Sequence, residues 1–418
     1  MLSQARNGAI LPVSTIPDCF AHLGSPCISE RVSEQVHRIY LISNQDNLGA
    51  ILAVADWLSR ERLARGKQPL TIHTVLIALM KAYEIQGCFQ ICNAFNKVGL
   101  DHTMLVKVAA TAVTSWLLGL SENQAQDALS QAWMDGAPLR AFRQSPNTGP
   151  RKGWAAGDAS MRAVHLSILT KNGQPGAPTI LTTPRWGFYN TLFKGQEFQL
   201  PRAFKSWVIE NVFFKIHAVE GHGASGIEAA EQLGQMMRAR NLDPDKDIAH
   251  IRVRTQQAAM TIINKQGPLH NSADRDHCMQ YMIAVVLLKG SMIETRDYGD
   301  DSPWTRDPRV EALRKRIDLE EDPQFTADYH NREKGCASNA LKMILTDGSD
   351  LEEVLVEYPV GHPWRDDTIG LVKAKFEHNV EVSFGDGEQS RGILRMASLE
   401  EEAFADIPVY EFMDRFAK

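Results

Sequence analysis

Along this 418-residue chain the spacing of apolar positions changes character twice. Residues 1–45 show no sustained period and are rich in turn formers. From Asp46 a helical period sets in. In "NLGAILAVADWLSRERLARG", Leu48, Ile51, Leu52, Ala55, Leu58 and Leu63 fall on one stripe, with Arg60, Glu61 and Arg62 at its polar edge, the pattern of an amphipathic helix. "TIHTVLIALMKAYEIQGCFQICNAFNKVG" predicts a second helix and "MLVKVAATAVTSWLLGL" a third. Ser121 opens a fourth with a capping box, Ser-Glu-Asn-Gln, in which Ser121 and Gln124 satisfy each other's orphan amides. Its inner face, Ala125, Ala128, Leu129 and Ala132, is small enough for another helix to approach closely. Residues 46–211 therefore read as the first part of a helical domain, densest over 46–170. Pro-Gly-Ala-Pro at 175–178 reads as a turn or linker.

Near residue 212 the period shortens. "IAHIRVRT" sets Ile248, Ile251 and Val253 among polar neighbours, as a strand does. "NALKMILTDGSDLEEVLVEY" predicts a hairpin: Leu341, Met343 and Leu345 alternate, Asp347-Gly348-Ser349-Asp350 turns, and Val354, Val356 and Tyr358 alternate back. A helical piece, "ADRDHCMQYMIAVVLLKG", lies between the two. Residues 212–360 thus read as α+β, and 361–418 return to helix, with "DTIGLVKAKFEH" the best segment. The expected fold class is mostly α with an α+β second domain.

Composition narrows this picture. A chain of 418 residues is long enough for two domains, and 44% hydrophobic with 23% charged residues is ordinary for a soluble globular protein. The net charge of −6 gives no general attraction to nucleic acid or anionic membranes, so an anionic ligand needs a local cluster of cations. No apolar run is read as approaching the ~20 residues of a membrane span, and the start is too weak for a secretory or transit signal. The six cysteines, Cys19, Cys27, Cys88, Cys92, Cys278 and Cys336, form neither a disulfide framework nor an iron–sulfur spacing. Cys88 and Cys92, one turn apart, read as buried small hydrophobes. A reducing compartment, cytoplasmic or mitochondrial, fits this usage.

The candidate chemistry is scattered. His102 stands just before an apolar helix in "GLDHTMLVKVAATAV". Lys152, beside Arg151, opens "RKGWAAGDASMRAVHL" and runs into a stretch of small residues, Ala155 to Ser160. Lys215 follows Phe213 and Phe214, and a lysine entering from apolar text either snorkels or meets an anion. His217 follows, then His222 in "GHGASG", whose glycines permit close backbone approach. His277 is bracketed by Asp274, Arg275 and Asp276, and a carboxylate beside an imidazole fixes its tautomer. There is no GxSxG elbow, HExxH, P-loop or dinucleotide fingerprint. The histidine pairs do not share a helix face, so neither a metal nor another cofactor is expected. Lysines and imidazoles without a metal suit proton chemistry on a di- or tricarboxylate. The lysines neutralise carboxylates, an imidazole takes an α-proton, and a second acid delivers one to a departing hydroxide. That combination predicts a lyase.

At these residues the chain resembles the MmgE/PrpD family. The resemblance is carried by "DNLGAILAVADW", "EIQGCFQICNAFNKVGLDH", "RKGWAAGDASMRAVHL", "TTPRWGFYNTLFKG", "INKQGPLHNSADRDHCMQYM" and "EDPQFTADYH", and covers most of residues 46–365. It implies a large helical domain, built from the N-terminal part and a C-terminal return, packed against a smaller α+β lid, with the site between them and a homodimer as the assembly. It implies a cofactor-free hydro-lyase acting on 2-methylcitrate or a longer alkylcitrate. A decarboxylase or isomerase on a related unsaturated acid, or a non-catalytic carboxylate-binding paralogue, are the alternatives. It assigns His102, Lys152, Lys215 and His277 to the catalytic set, with Asp46, Arg151 and His222 as substrate-binding neighbours. The family's His-Pro-Ser-Asp element before "NLG" is absent: of it only Asp46 remains, and Ser43-Asn44-Gln45 stands in place of its histidine.

Overall fold

The structure, a computed structural model, describes residues 44–143, 148–331 and 334–417. Cys19, Cys27 and Ser43 lie outside the described residues, and Asn44 and Gln45 enter only as backbone in a 3-10 turn, Asn44–Asn47.

The first five long helices are α1 (Leu48–Ala64), α2 (Ile72–Cys92), α3 (Thr103–Leu117), α4 (Glu122–Met134) and α5 (Ala155–Lys171). Helix α3 is the axis of this group and touches the other four. It is buried without interruption from Thr103 to Ser115, as a helix apolar on all sides must be. Small residues set its distance from α5. Ala110 packs with Ala163 and with Ala50 of α1, and Thr114 Oγ1 meets Ser167 Oγ at 2.8 Å. The hydroxyls of Thr111 and Thr114 bond back to the carbonyls of Lys107 and Ala110, so the polar atoms of this seam are satisfied.

Helix α2 corrects one expectation: by length and composition it is apolar enough to cross a bilayer. Here it is a core helix. Its buried positions include Lys81, whose ammonium lies 3.7 Å from the centre of the Trp116 ring, and Glu84, which accepts the amides of Lys205 and Val208 at 2.9 and 2.7 Å. Cys88 is buried as expected, whereas Cys92 is only half-buried. The Ser121 capping box forms with both of its hydrogen bonds. The 175–178 segment is seated on α4: Gln131 donates to the Pro175 carbonyl at 2.7 Å and the Ala177 amide to Ser130 Oγ at 2.8 Å.

The second core is built from α6 (Ala224–Ala239), β1 (Ile248–Thr255), α7 (Met279–Lys289), β2 (Ile317–Glu321), α8 (Pro323–His330), β3 (Asn339–Leu345) and β4 (Val354–Val356). The sheet order is β2-β1-β3-β4, with β1 parallel to β2 and antiparallel to β3. Ile248 and Ile251 are both fully buried although three residues apart. A register shift between Ile248 and His250 brings both to one face, as a bulge does. The hairpin expected from residue 339 is present as β3 and β4. Strand β2 carried no expectation. Its buried residues, Ile317 and Leu319, make a two-position pattern too short to stand out.

The last helices, α9 (Thr368–Phe384), α10 (Glu388–Ala397) and α11 (Val409–Phe416), lead back to α1 and α2. Val409 is fully buried in the first core, its amide donates to the Leu70 carbonyl at 2.9 Å, and Arg60 pairs with Asp414 at 2.6 Å. The approach to α9 passes Gly361, which has φ +92° and whose added Cβ would lie 1.9 Å from the Phe214 carbonyl oxygen. Gly361→Ala therefore combines a left-handed backbone penalty with a backbone clash. It is expected to destabilise the protein by about 2–4 kcal/mol, read as a lower urea midpoint; an unchanged midpoint would show that the 213–217 and 359–362 segments separate freely.

Candidate active site

The turn bearing Lys152, Pro150–Gly153, precedes α5 and belongs to the first core's side. It is tied to the second. Asp274, with no exposed surface, accepts the Thr148 amide at 2.6 Å and the Lys265 ammonium at 3.0 Å, and Lys265 also donates to Thr148 Oγ1 at 2.8 Å. This buried knot brings Lys152 Nζ to 2.6 Å from Asp276 Oδ2. The helix expected over 273–290 is broken at this point. A short turn, Ser272–Arg275, ends, Cys278 is extended, and α7 begins at Met279. The break leaves Asp276 facing Lys152 and places His277 Nδ1 2.5 Å from Asp276 Oδ1.

A nitrogen that meets a carboxylate carries the proton, so His277 presents Nε2 as its lone-pair atom. Burial lowers the His277 pKa, and the Lys152 charge adds to that, against the pull of Asp276. Burial alone would raise Asp276, but the His277 hydrogen bond and charge and the Lys152 ammonium hold it below the ordinary carboxylate value. His277 is thus a neutral imidazole, oriented and with its base atom available.

Glu220 and His222 form a second pair. Glu220 accepts the His222 amide at 2.9 Å and its Nδ1–H at 3.0 Å, while His222 Nε2 lies 3.1 Å from the Tyr329 hydroxyl on α8. Gly223 lets this turn close on α7 and its neighbours: an added Cβ would stand 3.2 Å from Met282 and 3.3 Å from Ile263 and Met279. Burial opposes charge on His222, yet the Glu220 carboxylate outweighs it and the pKa is raised. Burial likewise opposes charge on Glu220, which His222, His277 and Lys215 hold well below the carboxylate range. Burial, with the Glu220 charge adding to it, pushes the Tyr329 phenol up to about 12. The two imidazoles are therefore driven in opposite directions.

Lys215 joins the two pairs. Its side chain reaches solvent, yet desolvation by the surrounding protein lowers its ammonium pKa, as in a recess. The Glu220 and Asp276 carboxylates oppose that fall and the Lys152 charge adds to it. His102 is reached through Arg140. The buried His102 is pushed down to about 4 by burial, with Asp101 opposing and Arg143 and Arg140 adding to the fall. Asp101 is gripped by Arg143 at 2.6 Å, and Arg140 acts on Asp101, Glu220 and His222 together.

Lys152, Lys215, His222 and His277 are thus linked in one electrostatic network, with His102 at its edge. Of the two remaining expected neighbours, Arg151 has side-chain partners of its own, and Asp46 is held through its backbone. Arg151 pairs with Asp158 at 3.2 Å and lies 4.1 Å from the Trp154 ring centre, and the Asp46 carbonyl accepts Ser160 Oγ at 2.7 Å. The residues that sequence reasoning missed are Glu220, Tyr329, Arg140 and Arg143. Glu220 carried a local signal, an acid two residues before a glycine-flanked histidine, and Tyr329 lies in "EDPQFTADYH", one of the stretches that carry the family resemblance.

A helical core and an α+β core joined across such a network define an architecture shared with known proteins. Residues 38–201 match the MmgE/PrpD N-terminal domain and residues 217–401 the MmgE/PrpD C-terminal domain, and the chain belongs to that family. Among its relatives, the 2-methylcitrate dehydratase-like protein oryR of Aspergillus oryzae is 56% identical over 373 residues, covering 89% of this chain and 74% of that protein. The alkylcitrate dehydratase phiI of a fungal species is 50% identical over 378 residues, 89% of this chain and 73% of its own. The 2-methylcitrate dehydratase of Escherichia coli is 48% identical over 373 residues, 89% and 76% of the two chains.

Proposed function

We propose that this protein is a hydro-lyase that removes water from 2-methylcitrate or a longer-chain alkylcitrate, giving the corresponding cis-aconitate-type tricarboxylate. The observation that carries the reading is the pair of imidazoles, His277 on Asp276 and His222 on Glu220, whose pKa values are driven in opposite directions near Lys152 and Lys215. Relatives named for this reaction, at 48–56% identity, support it.

Opposed pKa shifts within one site assign the base and the acid. His277 Nε2, neutral and oriented by Asp276, takes the proton α to a carboxylate. Its C–H electrons become the new double bond, the β C–O bond breaks, and the departing hydroxide leaves as water with a proton from the His222 imidazolium, directly or through the Tyr329 hydroxyl. Lys152 and Lys215 stabilise the charge that builds on the substrate carboxylates as the α-carbon gives up its proton. His102, expected in the catalytic set, supplies a neutral imidazole near Arg140 in this scheme.

The test is direct: purified protein is mixed with 2-methylcitrate and with a longer alkylcitrate, and the ultraviolet absorbance of the new double bond is followed, with the product checked by mass. Absence of an alkene product from folded protein with both substrates would overturn the reading. A homodimer belongs to the same proposal, and sedimentation of the purified chain tests it.

A further inference from the structure

Helix α9 returns past the site on its way back to the first core. The 213–217 segment is paired to the loop before it, with the Phe214 amide donating to the Gly361 carbonyl at 2.8 Å. This pairing brings half-buried Lys375 of α9 against Lys215, and Lys375 Nζ donates to the Lys215 carbonyl at 2.5 Å. We infer that Lys375 is a substrate-binding residue, its ammonium receiving the third carboxylate of a tricarboxylate whose other two meet Lys152 and Lys215. The inference rests on the polycarboxylate reading above and adds a residue from a helix outside the expected catalytic set.

Counting charges supports the assignment. Neither Lys215 nor Lys375 has an ion-pair partner among the described residues. The two carboxylates that act on Lys215, Glu220 and Asp276, are held at hydrogen-bond distance by His222, and by Lys152 and His277. On Lys375 the one charged influence is Lys215 itself, a repulsion, after desolvation. The nearby His217 brings no negative charge. Burial and the Lys375 ammonium push it down to about 4, so it is neutral. Two ammonium groups that repel one another, partly desolvated and lacking a counter-charge among the described residues, destabilise the empty protein and are relieved by a polyanion that meets both. Lys375 keeps two of its three N–H donors for that anion. A dicarboxylate satisfied at Lys152 and Lys215 would gain little from Lys375, whereas a third carboxylate would gain a charged hydrogen bond.

The test uses the whole chain, titrated calorimetrically with propane-1,2,3-tricarboxylate, which has no hydroxyl to lose, and with butanedioate. Lys375→Met is expected to weaken tricarboxylate binding about 10- to 100-fold, the range of one hydrogen bond between charged groups, and to change butanedioate binding far less. Lys375→Arg should recover most of the loss. In turnover, Lys375→Met should raise KM with kcat within a few-fold of wild type, a split that a folding defect would not give. Thermal melts confirm that each variant is folded, with Lys246→Met, whose side chain is 77% exposed, as the surface control. Wild-type affinity for the tricarboxylate in folded Lys375→Met overturns the contact alone. Tricarboxylate binding without any dehydration overturns the hydro-lyase reading and leaves the contact standing. A wild-type chain that binds neither acid overturns both.

Discussion

Lys152→Met is expected to lower kcat/KM for alkylcitrate dehydration about 10³-fold, the upper range for loss of one preorganised electrostatic contact. Two effects add. The substrate loses a cation, and Asp276, only about a quarter exposed, loses the ammonium that sits 2.6 Å from it. The carboxylate left behind repels any incoming polycarboxylate. His277 also changes. The Lys152 charge is one of the influences that lower its pKa, and Asp276 is one that raises it. Without Lys152 the imidazole is charged over a wider range, so the acid limb of the kcat/KM profile moves to higher pH. The measurement is a full pH profile of the variant beside wild type. A large loss with an unmoved limb would restrict Lys152 to binding, and wild-type kinetics would place the chemistry elsewhere.

Glu220→Gln should move the opposite limb and lower kcat by about 10²- to 10⁴-fold, the scale on which removing the carboxylate behind a catalytic imidazole acts. In the native protein His222 has a raised pKa, with Glu220 as the cause that overcomes burial. Its charged form therefore persists above the ordinary imidazole value, and activity that needs the imidazolium falls only at higher pH. With an amide at position 220 both raising influences vanish while burial stays. The His222 pKa drops below its ordinary value, and the alkaline limb shifts to lower pH. Stability follows the same signs. The raised His222 contributes stability that is full below its unfolded pKa and lost as pH rises through its folded value. The depressed Glu220 contributes stability present above its unfolded pKa and lost on acidification. The variant loses both contributions, and its buried His222, now depressed, instead makes the unfolding midpoint fall on acidification through the ordinary imidazole range. An alkaline limb identical to wild type would remove His222 from the acid role.

What could be read from the text, and what could not, follows from the range of each signal. Helices α1 to α4 announce themselves because apolar residues recur at helical spacing or run on unbroken, and the Ser121 cap because its partners are three apart. The hairpin of β3 and β4 is local for the same reason. Strand β2 pairs with β1 across some sixty residues and left no mark. The break at Asp276–Cys278 was also hidden: "ADRDHCMQYM" is acceptable as helix, and what interrupts it is Lys152, more than a hundred positions away. Lys152, Lys215, His222 and His277 could be singled out by unusual neighbours or by resemblance, but the sense of each imidazole's shift could not. That depends on which carboxylate is desolvated beside it. Arg140 and Lys375 sit in ordinary-looking segments and gain meaning only from what folds against them. Arg151 shows the converse, a residue made conspicuous by its neighbour and spent on Asp158 and Trp154.

The burial of Val409 among the first helices has a consequence for how the polypeptide is made. A ribosome releases the segment from Ala224 to Val356 as one uninterrupted stretch, able to complete its sheet while later codons are still being read. The bundle begun at Leu48 must meanwhile wait with an unfilled slot beside Ile72 until the chain has emerged past residue 409. Vectorial synthesis thus favours maturation of the later-encoded body first, with closure of the earlier one as the last event.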